Sequence, residues 1–147
     1  MPVRHICGTV VINNHEGSAR RAVIGVVDDD PSVRKALARL LRSAGFDVVA
    51  HASAVEFLVG LHERPIQCLV LDVHLEGMGG LDLQAYLADA GIRLPIVFIT
   101  AHDDPVTRQR AELAHQLYLR KPVDSTELLD AIASLIGGDA KSAGTET

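Results

Sequence analysis

Short apolar runs alternate with longer amphipathic stretches along most of the chain, beginning at Ala22. The first run, V-I-G-V-V, reaches Asp28 and is typical of a buried strand. Residues 33–44 carry apolar side chains at i, i+3, i+4 and i+7 spacing, which predicts an amphipathic helix. Asp30 suits the N-cap of this helix, the proline after it suits the first turn, and Gly45 ends it.

The same alternation continues and predicts four more strands and four more helices. The predicted strands are residues 46–51, 67–71, 95–99 and 116–120, and the predicted helices are residues 53–61, 81–90, 105–114 and 125–136. Gly137 and Gly138 are expected to stop the last helix, and the tail 138–147 lacks apolar periodicity and is expected to be disordered. Strands that alternate with helices and read as continuous apolar runs indicate an α/β fold with a parallel sheet covered on both faces.

Composition narrows the class of protein. The 147 residues are 48% hydrophobic and 22% charged, as expected for one globular domain. The net charge of −5 argues against bulk electrostatic binding to nucleic acid or to an anionic membrane. Cys7 and Cys68 have no zinc-like spacing and do not suggest a disulfide framework.

The chain shows no targeting or membrane signal. Its apolar runs are far shorter than the about 18 residues of a membrane span. Residues 1–21, taken as an N-terminal extension without a predicted fold, have no sustained signal-peptide core. We therefore expect a cytoplasmic protein.

Polar residues follow or end several predicted strands. In open parallel sheets, ligands bind beyond the carboxyl ends of the strands, so these residues are candidates for function. They are Asp28, Asp29 and Asp30 after the first strand, His51 after the second, Asp72 after the third, Thr100 after the fourth and Lys121 after the fifth. Adjacent carboxylates repel each other unless a cation, a proton or an arginine compensates. A positive partner is therefore expected at this edge.

Four segments resemble the receiver domains of bacterial response regulators in two-component phosphorelay signalling. They are V-V-D-D-D-P-S-V-R (26–34), L-V-L-D-V-H-L-E-G-M-G-G (69–80), P-I-V-F-I-T-A-H (95–102) and Y-L-R-K-P-V (118–123). The resemblance spans about residues 22–137, which it identifies as a receiver domain. It implies a flavodoxin-like (βα)5 fold, with a five-stranded parallel sheet in the order 2-1-3-4-5 and helices on both faces.

The resemblance implies a phosphoacceptor rather than an enzyme that turns over an external substrate. Asp72 would take a phosphoryl group from a sensor histidine kinase or a histidine phosphotransfer protein, becoming a 4-aspartylphosphate. Asp28, Asp29 and Asp72 would hold Mg²⁺ through oxygen atoms, as this cation prefers. The domain would promote its own phosphorylation and slow dephosphorylation. Asp30 is assigned to the helix cap.

The resemblance also implies how the signal leaves the site. Lys121 would stabilise charge on the transferring oxygens, Thr100 would bind one oxygen of the product, and Tyr118 would follow Thr100 as a switch. A downstream protein would read this change by direct contact, and a phosphorylation-linked dimer is also implied. Residues 53–58 are similar to receivers fused to helix-turn-helix domains, but no such domain fits after residue 137, so neither nucleic acid nor membrane is an expected partner.

Two histidines are expected to tune the lifetime of the phosphorylated state. His74 lies two residues after Asp72, and His102 lies two residues after Thr100. In receivers these two places affect attack by water on the acyl phosphate. Because imidazole titrates near neutrality, the lifetime is expected to vary between about pH 6 and 8. The plain alternative is a pair of solvated loop histidines.

Other interpretations stay open. The carboxylates could cap helices or turns, Lys121 could be a solvated lysine, and Tyr118 could be a half-buried strand residue. The basic residues Arg34, Lys35 and Arg42 form a solvated helix face or, by the resemblance, help to dock the kinase.

The first alternative function is a phosphorylation-independent adaptor of the same fold, and its only support is two departures from the receiver pattern. Glu76 stands where receivers usually have proline, and Ala114-His115 replaces their usual Gly-Ala pair. A magnesium-dependent phosphohydrolase is less favoured, because it would need D-x-D where this chain has D-V-H at 72–74.

Overall fold

The computed structural model describes residues 21–102, 105–114 and 116–144, with side chains up to residue 137. Strands and helices alternate within these residues. The strands are β1 (Val23–Val27), β2 (Asp47–His51), β3 (Cys68–Asp72), β4 (Ile96–Thr100) and β5 (Leu117–Arg120). The helices are α1 (Pro31–Ser43), α2 (Ala54–Leu61), α3 (Gly80–Asp89), α4 (Pro105–Leu113) and α5 (Ser125–Gly144). The predictions for residues 1–20, Cys7 and His115 lie outside the described part of the chain.

The strands form one parallel sheet in the order β2-β1-β3-β4-β5, which confirms the predicted fold class. Val27 pairs with Leu71, so the residues that follow them, Asp28 and Asp72, lie side by side at the carboxyl edge. Asp72 in turn pairs with Ile99, one residue before Thr100. The register therefore gathers the polar strand ends on one edge of the sheet.

Apolar side chains cover both faces of the sheet, as the continuous apolar runs predict. Ile24 and Val70 belong to the core that packs against α1 and α5. Leu69 and Leu71 belong to the core under α2, α3 and α4. Because side chains alternate along a strand, each central strand contributes to both cores. The polar residues at the carboxyl edge are therefore attached to strands whose sheet is covered by an apolar core on each face.

Helix α1 begins as predicted. The Asp30 carboxylate accepts hydrogen bonds from the backbone N–H groups of Ser32 and Val33, which satisfies two donors of the first turn. The proline after Asp30 is the first residue of the helix. Asp30 is therefore a capping residue, and its carboxylate is directed at the helix rather than at the neighbouring acidic side chains.

The predicted end of the last helix is wrong. Helix α5 continues through Gly137 and Gly138 and ends at Gly144, so residues 138–144 of the predicted disordered tail are helical. The physical reason is that glycine lowers helix propensity by only about 1 kcal/mol relative to alanine and does not block a helix as proline does. Residues 145–147 lie beyond the described part.

Two glutamines fasten the amino ends of the sheet. Gln67 Oε1 accepts a hydrogen bond from Val23 N–H at 2.7 Å, and Gln116 Oε1 accepts one from Ile96 N–H at 2.8 Å. The Gln116 amide nitrogen also donates to the carbonyl oxygen of Leu94 at 3.3 Å. These side chains pair backbone groups that the strand ladders leave free, at the edge opposite the polar strand ends.

We expect Gln116→Leu to lower the free energy of unfolding by about 1–3 kcal/mol, because it leaves two partly buried backbone groups without partners. Urea denaturation measures the effect. Gln109→Leu, on the exposed side of α4, is the matched control and should change stability by no more than about 0.5 kcal/mol. Equal urea midpoints for the two variants would show that the Gln116 contacts do not stabilise the fold.

Candidate functional site

Asp28 lies at the centre of the carboxyl edge and is fully buried. Its Oδ1 accepts a hydrogen bond from Asp30 N–H at 2.9 Å, which forms a tight turn after β1. Its Oδ2 lies 3.0 Å from Lys121 Nζ, an ion-pair distance. The geometry of that contact leaves Oδ2 without a hydrogen bond. A buried carboxylate oxygen in this condition is suited to a cation.

Asp72, at the end of β3, is also buried and faces the same lysine. Its Oδ1 accepts a hydrogen bond from His74 N–H at 3.1 Å, and its Oδ2 lies 3.5 Å from Lys121 Nζ. Burial, followed by repulsion from Asp28, raises the pKa of the Asp72 carboxyl, although the His74 amide and Lys121 oppose this.

Lys121 reaches the acidic side chains from the end of β5, two strands beyond Asp72. Burial alone would lower the pKa of its ammonium group, but close contact with and attraction to the carboxylates of Asp28 and Asp72 raise the pKa overall. Its backbone N–H donates to Thr100 O at 2.8 Å, which continues the pairing of β5 with β4. The peptide bond from Lys121 to Pro122 is cis.

The carboxylates of Asp28, Asp29 and Asp72 meet with one oxygen of each within 4.8 Å of the others. Asp28 and Asp72 are buried, whereas Asp29 is exposed, so the cluster opens to solvent on one side. Oxygen donors that leave room for water and for phosphate oxygens are the ligands that Mg²⁺ prefers. Together with the buried Asp28 Oδ2, which has an ion-pair partner but no hydrogen bond, this donor set fits a hard divalent cation.

Thr100, at the end of β4, and Tyr118, in β5, both contact the loop that follows β4. Thr100 is fully buried, and its hydroxyl oxygen accepts a hydrogen bond from His102 N–H at 3.2 Å. The Tyr118 hydroxyl donates to the carbonyl oxygen of His102 at 3.0 Å. The Arg108 guanidinium lies 6.0 Å from the centre of the Tyr118 ring, at the outer limit of a cation–π contact. One loop residue thus contacts both Thr100 and Tyr118.

His74 and His102 come from different loops and meet. Their ring centres are 5.2 Å apart with the planes at 81°, an edge-to-face contact. Both residues are exposed, and each follows an acidic or hydroxyl residue of the site by two positions. The structure therefore places the two histidines together at the solvent side of Asp72 and Thr100. His51, in contrast, packs against Phe57 with ring centres 6.0 Å apart.

Two residues of the site carry no clear signal in the sequence. A Cβ atom at Gly80 would lie 2.5 Å from the carbonyl oxygen of Asp72, so only glycine fits where α3 begins. The Arg34 guanidinium donates a hydrogen bond to the carbonyl oxygen of Asp28 at 2.7 Å. The glycine-rich run 77–80 hints at the first contact. The contact of Arg34 cannot be predicted from the sequence, because the apolar pattern assigns Arg34 to the solvated face of α1.

We expect Asp72→Asn to raise the melting temperature at pH 7 without Mg²⁺. Because the folded state raises the pKa of Asp72, the wild type loses stability as the pH rises from the ordinary value of 3.8 through the raised folded value. Asparagine removes that penalty, so the variant should melt a few degrees higher at pH 7 and equally below pH 3.8. Thermal denaturation across pH measures this, with the exposed Asp89→Asn as control. A gain that persists below pH 3.8 would rule out ionisation as its cause.

A parallel sheet in this strand order, with a buried aspartate between an acidic pair and a lysine, defines a receiver-type signalling domain. The sequence model described as "Response regulator receiver domain" matches residues 24–133, and this chain belongs to that family. The family comprises signalling regulators. The resemblance and the fold predicted from the sequence are both confirmed.

Named relatives support the assignment. Nodulation protein W of Bradyrhizobium diazoefficiens is 42% identical over 86% of this chain and 56% of its own length. Response regulator protein TodT of Pseudomonas putida is 38% identical over 81% of this chain and 53% of its own length. The chain thus spans about half the length of the curated relatives it matches.

Solved structures agree with this family. The response regulator StyR is 43% identical with a TM-score of 0.73, over 84% of this chain and 63% of that chain. A response regulator receiver protein from Burkholderia phymatum is 39% identical with a TM-score of 0.69, over 80% of this chain and 96% of that chain. Among the described residues, no helix is both long and apolar enough to cross a membrane.

Proposed function

We propose that residues 22–137 form a phosphoacceptor receiver in which Asp72 takes a phosphoryl group from a sensor histidine kinase or a histidine phosphotransfer protein. The observation that carries this proposal is the arrangement of the Asp72 carboxylate. One oxygen is engaged by the His74 amide, and the other faces Lys121 and the acidic pair. A carboxylate oriented in this way can attack a phosphorus atom delivered at the open side of the cluster.

The reaction is a phosphoryl transfer between two nucleophiles. The bond from phosphorus to the donor nitrogen breaks as a bond to Asp72 Oδ2 forms. The electron pair of the broken bond stays on that nitrogen, and a proton on the other ring nitrogen leaves the donor histidine as a neutral imidazole. Lys121, 3.5 Å from that oxygen, stabilises charge on the phosphoryl oxygens. Mg²⁺ bound by Asp28, Asp29 and Asp72 would neutralise the repulsion between the carboxylates and the incoming phosphoryl group.

Phosphorylation of Asp72 is expected to change the conformation of Thr100 and Tyr118. An acyl phosphate on Asp72 brings new acceptor oxygens close to the Thr100 hydroxyl, which now accepts from His102 N–H. Rotation of Thr100 toward the phosphoryl group would remove that contact. The His102 carbonyl holds the Tyr118 hydroxyl, so the loop and Tyr118 are expected to move together. The surface around α4 and β5 then carries the signal.

The partners are proposed from the same arrangement and from the charge of the chain. A histidine kinase or phosphotransfer protein delivers the phosphoryl group in the cytoplasm, and a downstream protein or a second phosphorylated copy binds the altered surface. Direct binding to nucleic acid or membrane is not proposed, since the net charge is −5.

The experiment is incubation of the purified protein with acetyl phosphate, with and without Mg²⁺, followed by intact-mass analysis. A single phosphoryl adduct that requires Mg²⁺ supports the proposal. If the protein stays unmodified and shows no response to beryllofluoride, the adaptor alternative is supported. The exposed Glu76, which adds a negative charge to the loop after Asp72, is consistent with that alternative. Rapid release of inorganic phosphate without accumulation of the phosphoryl adduct would support the phosphohydrolase instead.

We expect His74→Ala and His102→Ala each to change the lifetime of the acyl phosphate by about 2–10-fold, because the paired rings screen the open side of Asp72 from water. The measurement is decay of the phosphorylated protein at several pH values between about 6 and 8. His62→Ala, on an exposed residue after α2, is the control. If all variants decay like the wild type at every pH, the two histidines play no part in the lifetime.

A further inference from the structure

Arg34 makes a contact that neither a solvated face nor partner docking requires. Its Nη1 donates to the backbone carbonyl oxygen of Asp28 at 2.7 Å, from the first turn of α1 back to the end of β1. That carbonyl belongs to the peptide that joins Asp28 to Asp29. The guanidinium therefore fixes the peptide plane between two carboxylates of the acidic cluster.

The other polar atoms of Asp28 are fixed as well. Its backbone N–H donates to His51 O at 3.3 Å, and its Oδ1 accepts from Asp30 N–H at 2.9 Å. The remaining oxygen, Oδ2, faces Lys121 Nζ at 3.0 Å. Without Arg34, the peptide could rotate and carry the exposed Asp29 carboxylate away from Asp72, because a loop peptide without a partner has no fixed plane.

We propose that Arg34 is a positioning residue for the cation site, holding Asp28 and Asp29 so that both carboxylates face the same ion. This inference rests on the proposed Mg²⁺ site. The neighbouring Lys35 offers a comparison, because it carries the same charge one residue away but is exposed, whereas Arg34 is half-buried.

The sign of the effect separates positioning from charge. A positive group beside the acidic cluster repels an incoming cation, so loss of charge alone should tighten Mg²⁺ binding. Loss of the hydrogen bond should weaken it, because the carboxylates must then be ordered when the cation binds. Hydrogen bonds from charged donors are stronger than those between neutral groups, so the second effect should dominate at Arg34.

Isothermal titration with Mg²⁺ tests this on the full chain. Arg34→Gln should raise the dissociation constant about tenfold, as expected for one charge-assisted hydrogen bond. Arg34→Lys should give an intermediate value, and Lys35→Gln should bind as tightly as the wild type or tighter. With acetyl phosphate, Arg34→Gln should need more Mg²⁺ for half-maximal phosphorylation but approach the wild-type rate at saturating Mg²⁺.

The outcomes distinguish the inference from the function on which it rests. If the wild type binds Mg²⁺ and Arg34→Gln binds it as tightly or tighter, the positioning role is overturned while the proposed function stands. If the wild type binds no Mg²⁺, both fail. Circular dichroism checks folding, and Arg34→Lys decides the matter if Arg34→Gln does not fold. In that case, a Kd equal to the wild-type value overturns the inference.

Discussion

Replacement of Asp72 by asparagine is expected to abolish phosphorylation of this protein completely. Asparagine keeps the shape of the side chain and an oxygen for the His74 amide, but its amide is not a nucleophile toward phosphorus. Intact-mass analysis after incubation with acetyl phosphate and Mg²⁺ measures the incorporated phosphoryl group. At times when the wild type is fully phosphorylated, the variant should carry no phosphoryl group.

The exposed residue Asp82, near the start of α3, provides the matched control. Asp82→Asn makes the same chemical change outside the acidic cluster and should leave phosphorylation at the wild-type rate. Equal incorporation in Asp72→Asn and the wild type would show that another residue accepts the phosphoryl group. Peptide mapping would then locate it.

Loss of both Asp28 and Asp29 carboxylates is expected to abolish Mg²⁺ binding. The double variant Asp28→Asn/Asp29→Asn removes two of the three anionic donors, and a single remaining carboxylate cannot compensate for dehydration of this strongly hydrated cation. In the wild type, 10 mM Mg²⁺, at roughly 100 times a Kd of order 0.1 mM, should stabilise the folded state by about 2.7 kcal/mol. The melting temperature of the double variant should not respond to Mg²⁺.

The adjacent Asp30→Asn isolates the role of charge at this loop. Asparagine caps helices as well as aspartate does, so α1 keeps its first turn while the loop loses one negative charge. Asp30→Asn should keep most of the Mg²⁺-induced rise in melting temperature. A rise that is lost equally in Asp30→Asn and in the double variant would indicate a general charge effect instead of a defined site.

The sequence predicts the sheet well because its three central strands, β1, β3 and β4, are buried on both faces and therefore consist mainly of apolar residues. It also predicts the polar residues of the site, since residues at strand ends meet once the strand order is known. Asp28, Asp72 and Lys121 are brought together by three separate strands, and their ionic contacts match that expectation.

Other features could not be predicted, for physical reasons. The contact of Arg34 with the Asp28 carbonyl depends on a side-chain rotamer and not on the spacing of apolar residues. The need for glycine at position 80 depends on the approach of the α3 start to the carbonyl of Asp72. The continuation of α5 past Gly137 depends on a balance of small propensities that a pair of glycines does not decide.

The buried thiol of Cys68 can be used to measure how often β3, the strand that carries the proposed phosphoacceptor, separates from its neighbours. Cys68 is the first residue of β3, four positions before Asp72, and burial raises the pKa of its thiol to about 12. Only the thiolate reacts with alkylating reagents, so Cys68 is silent until β3 separates from its neighbours. In a Cys7→Ser background, the labelling rate of Cys68 therefore reports how often the central sheet opens. Comparison of this labelling rate with and without a bound ligand would show how far the ligand suppresses opening of the central sheet.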